Sequence, residues 1–352
     1  MTLSTLLTIA ADTLSILFMG DVMQHKEQIS SALIPGSEIS LSESYDYSTY
    51  FKHVQKYIDA SDFAIANMEF ALAGAPFTGY PSFSAPTSLA YEASECGIDL
   101  FLCANNHICD KGKRGLKKSF ENYTQVGVPI TGVYRDSTDE ALNNPYIAEI
   151  KGCKIAFINF TYGTNGIEVP APYIVNLLDK ERVTTAVTRA KERGADIIIA
   201  LPHWGNEYVL TPTKNQKDWK TYLYSIGVDA IIGGHPHVIQ PLEIKRDSTT
   251  SKIEEVTLYS LGNFISNMSK TNTPMGLMLS LQIVLPTTGE PFIDEVTPIP
   301  VWCSRDGHFG KGYTVLPVEE FIEKEELFNN KPDHQKMVAT YNRLKHLFEN
   351  GE

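Results

Sequence analysis

Val228-Asp-Ala-Ile-Ile-Gly-Gly-His-Pro-His-Val-Ile-Gln240 carries the strongest structural signal in this sequence. An apolar run rich in isoleucine, typical of a buried parallel strand, ends on two glycines followed by His235 and His237. The glycines permit a sharp turn, and Pro236 restricts the backbone between the two histidines. Two imidazoles at the carboxyl end of a buried strand are well placed to bind a metal ion. A pair of polar loop histidines without a ligand is the alternative.

Four other apolar, strand-like runs also stop at polar residues. They are residues 14–19 before Gly20-Asp21, 62–66 before Asn67-Met68-Glu69, 98–104 before Asn105-Asn106-His107, and 196–201 before Pro202-His203-Trp204-Gly205. In an open α/β sheet the carboxyl ends of the strands lie at one edge, where ligands bind. We therefore expect the Asp, Glu, Asn and His side chains that follow these runs to lie close together.

Helix-like and strand-like patterns alternate along most of the 352 residues, which is typical of an α/β protein. Helices are predicted at residues 47–59, 87–96, 113–126, 178–193, 214–226 and 333–349. A hairpin is predicted around Lys151-Gly152, and residues 254–301 contain strands without intervening helices. Two stacked, mixed sheets flanked by helices fit this count better than one doubly wound sheet. The predicted division is a leader at 1–12, a main domain at 13–302, and a C-terminal extension at 303–352 whose terminal helix packs on the domain.

The composition of the chain limits the kinds of molecule it can bind and the compartment in which it can act. A net charge of −12 argues against nucleic acid as a partner. Five cysteines without a Cys-x-x-Cys pair exclude a disulfide framework and disfavour a thiolate zinc site. The apolar N-terminal residues resemble the end of a signal peptide but lack its positive start, so a frayed leader is the alternative. Export to the cell envelope and a cytoplasmic location both stay open.

The polar residues at the strand ends form a set of oxygen and nitrogen ligands without sulfur. The candidate metal ligands are Asp21, Glu69, Asn106, His203, His235 and His237. This donor set suits Mn²⁺, Fe²⁺, Zn²⁺ or Mg²⁺. Six ligands exceed what one tetrahedral zinc with an open position requires, and this points to two metals with Glu69 bridging them.

These motifs together resemble the poly-γ-glutamate capsule biosynthesis (CapA) family, a branch of the calcineurin-like metallophosphatase superfamily. The resemblance covers about residues 14 to 265 and rests on motifs that occur in order. They are Gly20-Asp21-Val22-Met23, Asn67-Met68-Glu69, Ala104-Asn105-Asn106-His107-Ile108-Cys109-Asp110-Lys111-Gly112, His203-Trp204-Gly205-Asn206-Glu207-Tyr208, Gly234-His235-Pro236-His237-Val238-Ile239-Gln240 and Ser260-Leu261-Gly262-Asn263-Phe264. The resemblance implies a four-layer α/β/β/α sandwich. It implies a first metal on Asp21 and His237, a second on Asn106, His203 and His235, and Glu69 as the bridge.

Two further residues are candidates for catalysis. By the same resemblance, His107 stabilises or protonates the leaving group, and a hydrogen-bonded neighbour of a ligand is the alternative. Glu207 follows His203 closely in sequence and either orients an imidazole, acts as a base or lies in solvent. Met23 stands where the wider superfamily has a metal-binding histidine, and a thioether is a poor ligand for hard ions. The first metal site is therefore expected to be weaker than in ordinary phosphatases.

The resulting hypothesis is a capsule biosynthesis protein with divalent-metal-dependent hydrolase activity. A metal-activated hydroxide would attack a phosphoester or a γ-glutamyl amide, with an anionic polymer such as poly-γ-glutamate as a candidate substrate. Membrane-associated capsule machinery is a candidate partner, and the oligomeric state is open. The alternatives are an envelope protein that binds an anionic polymer without catalysis and an epimerase-type proton transfer that uses the same metal site.

Overall fold

The computed structural model describes residues 12–349. The strands are β1 (Asp12–Val22), β2 (Phe63–Met68), β3 (Leu100–Leu102), β4 (Ile130–Thr131), β5 (Val133–Tyr134), β6 (Tyr146–Ile150), β7 (Cys153–Thr161), β8 (Ile174–Val175), β9 (Ile197–His203), β10 (Ala230–Ile232), β11 (Leu242–Arg246), β12 (Ile253–Leu258), β13 (Asn263–Ile265), β14 (Met275–Leu285), β15 (Phe292–Ser304) and β16 (Thr314–Pro317). The α-helices are α1 (Lys26–Ala32), α2 (Gln55–Asp59), α3 (Thr87–Glu95), α4 (Gly112–Val126), α5 (Ser137–Asn143), α6 (Lys180–Glu192), α7 (Lys214–Ser225), α8 (Val318–Phe321) and α9 (Lys331–Leu344). Short 3-10 helices occur at Ser42–Ser44, Glu325–Leu327 and Lys345–Leu347.

Most of the strands belong to two mixed sheets. The larger has the order β16-β15-β14-β1-β2-β3-β4, with β13 pairing beside the carboxyl end of β1. Strands β1 to β4 run parallel, and β14 to β16 are antiparallel additions. The smaller has the order β11-β12-β10-β9-β7-β6, with a parallel centre and an antiparallel strand at each side. Strands β5 and β8 form a separate antiparallel pair.

The two sheets pack face to face over an apolar core. Alternate residues of a strand point to opposite faces, so Ile16 and Phe18 of β1 enter this core, whereas Leu17 and Met19 face the other way. Between the sheets the rings of Phe63 and Phe157 stack with centroids 5.5 Å apart. The apolar runs predicted from the sequence are buried because each sheet is covered on both sides.

Helices cover the outer face of each sheet. Leu89 of α3 and Leu116 of α4 pack with the outer side of the larger sheet. Val187 of α6 and Leu223 of α7 pack with the outer side of the smaller one. The layers are therefore helix, sheet, sheet and helix, and the predicted four-layer α/β/β/α sandwich with two mixed sheets is confirmed.

The structure corrects one predicted helix and leaves the domain boundaries as predictions. Only Gln55–Asp59 is helical in the segment predicted at 47–59. The residues before it form successive turns, closed by the backbone amides of Tyr50 and Val54, and these turns bury large aromatic side chains. The hairpin at Lys151-Gly152 is confirmed by the antiparallel pair β6 and β7. Strand β15 continues through residue 302, and α9 contributes side chains to the core between the sheets. The predicted leader lies outside the described residues apart from Asp12, where β1 begins.

None of the helices between residues 12 and 349 has the length and apolar composition needed to cross a membrane.

Candidate metal centre

The structure brings the six predicted ligand side chains together at the carboxyl ends of strands from both sheets. The larger sheet contributes the side chains at the ends of β1, β2 and β3, and the smaller sheet contributes those at the ends of β9 and β10. All six are almost completely buried: Asp21, Glu69, Asn106, His203, His235 and His237. The sequence predicts convergence at the edge of a sheet, and the structure adds that the second sheet supplies all three imidazoles. The site lies between the two sheet edges.

Glu69 occupies the middle of this cluster. Its Oε1 lies 3.5 Å from Nε2 of His203 and 3.7 Å from Nε2 of His237. The side chain is 0% exposed, and neither carboxylate oxygen has a hydrogen-bond partner among the described residues. A buried carboxylate without hydrogen bonds is costly, so this arrangement requires compensation by a positive charge. Two overlapping sets of ligand atoms within 4.8 Å of one another contain it: Glu69, His235 and His237, and Asp21, Glu69 and His203.

Asp21 is held by three neighbours at the end of β1. Nδ2 of Asn67 donates to Oδ1 at 2.7 Å, and the backbone amide of His235 donates to Oδ2 at 3.2 Å. Oδ2 also lies 3.4 Å from Nδ1 of His237. Burial acts to raise the pKa of the Asp21 carboxyl, but the hydrogen bond with His237 and the charge of His203 outweigh it and lower the pKa. Asp21 is therefore held as a carboxylate, the form that binds a cation.

The histidines experience different electrostatic environments. Burial alone would lower the pKa of His237, but the carboxylates of Glu69 and Asp21 raise it to about 9. Burial and the neighbouring His203 and His237 hold the pKa of His235 well below its ordinary value. The Nδ1 atom of His235 has no hydrogen-bond partner among residues 12–349. A neutral imidazole with a free buried nitrogen is a competent metal ligand.

The backbone after β10 is strained where it presents these imidazoles. His235 has φ 95° and His237 has φ 58°, a region that non-glycine residues seldom adopt. A Cβ at Gly234 would lie 2.8 Å from Oδ1 of Asp21, so any larger residue there would have to displace this carboxylate. Strain of this kind persists where the surrounding structure enforces it and concentrates at functional sites.

Asn106 and His107 follow β3. Oδ1 of Asn106 lies 2.8 Å from Nε2 of His203. Nδ1 of His107 lies 2.8 Å from Oδ2 of Asp110, and its ring meets Phe83 edge-on with centroids 4.6 Å apart. Asp110 therefore fixes the orientation of the His107 ring and leaves Nε2 as the nitrogen available to a ligand.

Two other predicted positions lie apart from the ligand cluster. Glu207 is exposed in the loop after β9, and its charge contributes to the raised pKa of His237. Met23 is buried in the apolar core on the helix side of the larger sheet, with Ser266 Oγ 3.9 Å from its sulfur. The Nδ1 atom of the nearby His25 lies 3.1 Å from Oε1 of Gln28. His25 is not among the groups of ligand atoms around Glu69 in the described part of the chain.

Sequence reasoning assigned no role to three residues around the site, although it placed Asn67 at a strand end. Asn67 bridges the site, since its Nδ2 contacts Asp21 and also lies 3.3 Å from Nδ1 of His203. Tyr162 follows β7 and lies over His235 with ring centroids 4.6 Å apart. Asn165 accepts hydrogen bonds from Tyr162 and Asn106. The apolar run at 155–160 ends beside Tyr162 and gave the same strand-end signal as the other five runs.

The donor set fits a divalent metal ion. Buried carboxylate, amide and imidazole groups without sulfur suit Mn²⁺, Fe²⁺, Zn²⁺ or Mg²⁺. The unpartnered oxygens of Glu69 and the unpartnered nitrogen of His235 are the atoms that an ion would satisfy.

The order of the layers and the position of the site at the strand ends are those of a metallophosphatase-like fold. The solved structure of the *Haemophilus influenzae* NAD nucleotidase matches with a TM-score of 0.51 and 16% identity, covering 96% of this chain and 64% of that one. At this identity the likeness shows the fold alone. The chain spans just under two thirds of that nucleotidase.

The family follows from the sequence comparison. The sequence model described as "Bacterial capsule synthesis protein PGA_cap" matches residues 15–268, and the chain belongs to this family. It is 24% identical over 317 residues to the capsule biosynthesis protein CapA of *Bacillus anthracis*, covering 85% of this chain and 73% of that protein. It is 26% identical over 315 residues to the PGA biosynthesis protein CapA of *Bacillus subtilis* (strain 168), covering 84% and 73%. The resemblance found from the motifs is confirmed.

Proposed function

We propose that this chain is a divalent-metal-dependent hydrolase of capsule synthesis that cleaves a phosphoester or a γ-glutamyl amide bond. The observation that carries the proposal is Glu69. Its buried carboxylate oxygens have no hydrogen-bond partner among residues 12–349, and its Oε1 lies 3.5 and 3.7 Å from Nε2 of His203 and His237. A bound cation would stabilise a carboxylate in this position.

The chain's own residues divide between two halves of the centre. Asp21 and His237 would hold one ion, Asn106, His203 and His235 a second, and Glu69 would contact both. A divalent ion bound there supplies a Lewis acid and lowers the pKa of water, which yields a nucleophile near neutral pH. Asn67 keeps the Asp21 carboxylate oriented by donating to its Oδ1.

The proposal gives His107 the role of proton donor to the leaving group. Asp110 accepts a hydrogen bond from Nδ1 of His107, so Nε2 is the nitrogen that faces a substrate. A ring held in this orientation can pass a proton from Nε2 to the leaving group, as a general acid does. Glu207 lies on the exposed loop at the same end of β9 and is assigned the part of a base or of a group that orients substrate.

Membership of the capsule synthesis family supports an anionic capsule polymer as the substrate class and the cell envelope as the place of action. The names of the two *Bacillus* relatives refer to capsule and PGA biosynthesis, which favours a γ-glutamyl polymer and contact with other capsule-synthesis components. A chain with a net charge of −12 needs local positive charge to bind such a polymer.

Turnover by the metal-loaded protein tests the proposal. Wild type is assayed with p-nitrophenyl phosphate and with a γ-glutamyl anilide beside Asp21→Asn and His203→Ala, and circular dichroism verifies that the variants fold. The proposal predicts that kcat/KM falls by at least ~100-fold in both variants, since each removes a ligand. Equal turnover in all three proteins would overturn it.

A binding protein without catalytic activity is the second candidate, and the burial of Met23 in the core favours it. In that case the metal-free wild type binds an oligo-γ-glutamate saturably and none of the assayed bonds is cleaved. An epimerase would instead exchange the α-hydrogen of a glutamyl unit with deuterium from solvent, without cleavage.

A further inference from the structure

Tyr208 lies near His237 and is in contact with Lys270. The ring of Tyr208 has its centroid 6.1 Å from that of His237. Nζ of Lys270 lies 3.6 Å from the centroid of the Tyr208 ring, in cation–π contact. Tyr208 is thus a neighbour both of an exposed ammonium group and of the buried His237 imidazole.

The position of Tyr208 is enforced by the backbone. Tyr208 has φ 66°, a left-handed conformation that is unfavourable for an aromatic residue. Its amide donates to the carbonyl of Pro236 at 2.8 Å, which ties it to the segment between His235 and His237. Gln240 donates to the next carbonyl, that of Val209, at 2.8 Å. The same segment therefore fixes both the imidazoles and the tyrosine.

Lys270 lies in the loop between β13 and β14, and Asn263 couples this loop to the metal centre. Oδ1 of Asn263 lies 3.0 Å from Nδ1 of His237, and its Nδ2 donates to the carbonyl of Thr273 at 3.0 Å. The amide and hydroxyl of Thr273 both donate to the carbonyl of Lys270, at 3.1 and 2.8 Å. One buried side chain thus orients a ligand imidazole and the turn that presents the lysine.

The C-terminal helix braces the same loop from outside. Nε and Nη2 of Arg343 in α9 donate to Oδ1 of Asn272 at 3.0 and 2.7 Å. A guanidinium fork on one oxygen holds the loop more firmly than a single hydrogen bond would. The loop that carries Lys270 is therefore anchored at both faces.

The charge of Lys270 is available for a ligand. Its side chain is exposed, and no carboxylate between residues 12 and 349 forms an ion pair with it. We infer that Lys270 and Tyr208 form a subsite that binds an oxyanion of the substrate next to the bond placed at the metal centre. This inference rests on the proposed function for the position of that bond. The oxyanion is the carboxylate of a γ-glutamyl unit or a neighbouring phosphate.

Lys270→Met tests the subsite, because methionine keeps the aliphatic stem and removes the charge. Lys252→Met is the matched control, since Nζ of Lys252 lies 4.1 Å from the centroid of the Phe292 ring, in another exposed lysine–aromatic pair. Binding of a short oligo-γ-glutamate, its α-amide counterpart and glycerol phosphate is measured by calorimetry on the metal-loaded full chain. Metal content is measured on the same samples.

Lys270→Met is expected to weaken binding of an anionic probe about tenfold, as loss of a charged hydrogen bond does. The α-amide oligomer binds wild type and variant alike, Lys252→Met behaves as wild type, and Lys270→Arg keeps most of the affinity. The probe whose binding falls identifies the oxyanion as carboxylate or phosphate.

Unchanged binding of both anionic probes by Lys270→Met, or no preference of wild type for either anion over the neutral oligomer, would overturn the subsite. If wild type binds no metal but Lys270→Met still weakens binding of an anionic probe, the hydrolase proposal alone would be overturned. Full metal content and turnover without a Lys270 effect would overturn the subsite alone.

Discussion

At the scale of single residues, Glu69 is the buried carboxylate whose charge most needs a bound cation. Glu69→Gln keeps the size of the side chain and removes its charge, so we expect the metal-dependent rise in Tm to disappear while the fold remains. Differential scanning fluorimetry with and without Mn²⁺ measures this. Glu168→Gln, a change at an exposed carboxylate, is the control and should keep the full metal response.

A Tm rise in Glu69→Gln equal to that of wild type would show that Glu69 is not a ligand. The expected size of the wild-type response follows from linkage, since an ion at 100 times its Kd adds about 2.7 kcal/mol to the free energy of unfolding.

Gly234 gives a second prediction at this scale. A Cβ there would lie 2.8 Å from Oδ1 of Asp21, so Gly234→Ala must displace the carboxylate of this proposed ligand. We expect the free energy of unfolding to fall by about 1–3 kcal/mol, as overpacking does, and metal affinity to fall as well. Urea denaturation and metal titration measure the two effects. Gly310→Ala is the control because an added Cβ meets nothing within 4 Å, and equal effects of both changes would contradict the account.

The sequence predicted the ligand cluster because its members share one signal, a polar residue at the end of an apolar strand. It did not predict the role of Asn67, whose partners Asp21 and His203 lie on strands of different sheets. Lys270 has no local signal either, since it meets Tyr208 only through the packing of two loops. Contacts that depend on the relative placement of two sheets cannot be predicted from the periodicity of the sequence.

At the scale of elements, the helices that the sequence predicted well are long and amphipathic. Helix α7 begins with a capping box in which the hydroxyl of Thr213 accepts from the amide of Gln216 at 3.2 Å. Thr213→Ala is expected to lower the free energy of unfolding by about 1 kcal/mol, the usual cost of losing such a cap. Urea denaturation measures it, and Thr213→Ser, which keeps the hydroxyl, should stay close to wild type. No loss in Thr213→Ala would contradict this interpretation of the cap.

Short elements were harder to predict. Helices α1, α5 and α8 span four to seven residues and have too few turns to show a periodic pattern. The segment at 47–59 looked helical, yet Tyr47, Tyr50 and Phe51 are buried through a series of turns instead. Burial of three aromatic side chains outweighs the modest helix preference of so short a segment.

At the scale of the whole molecule, the contact between the two sheets carries much of the stability. The Phe63 and Phe157 rings stack across it, and Phe157 is completely buried. Phe157→Ala should lower the free energy of unfolding by about 3–5 kcal/mol, whereas Phe157→Leu should cost less. Leu142→Ala, at a side chain that is 67% exposed, is expected to change it by less than about 0.5 kcal/mol. Equal losses in Phe157→Ala and Leu142→Ala would contradict this core.

The four-layer order was predictable from the sequence, while the strand order was not. Alternating helices and strands followed by strands alone indicate two mixed sheets, but β14 pairs with β1 across most of the chain. Such pairing depends on long-range packing that no local pattern records.

The metal centre is the claim on which the fold, the site and the proposed function converge. Elemental analysis of purified, Mn²⁺-reconstituted wild type beside Glu69→Gln tests it most directly. The account predicts about one to two equivalents of metal per wild-type chain and a loss of metal in the variant. A wild type that retains no metal, or a variant that retains as much as wild type, would contradict it.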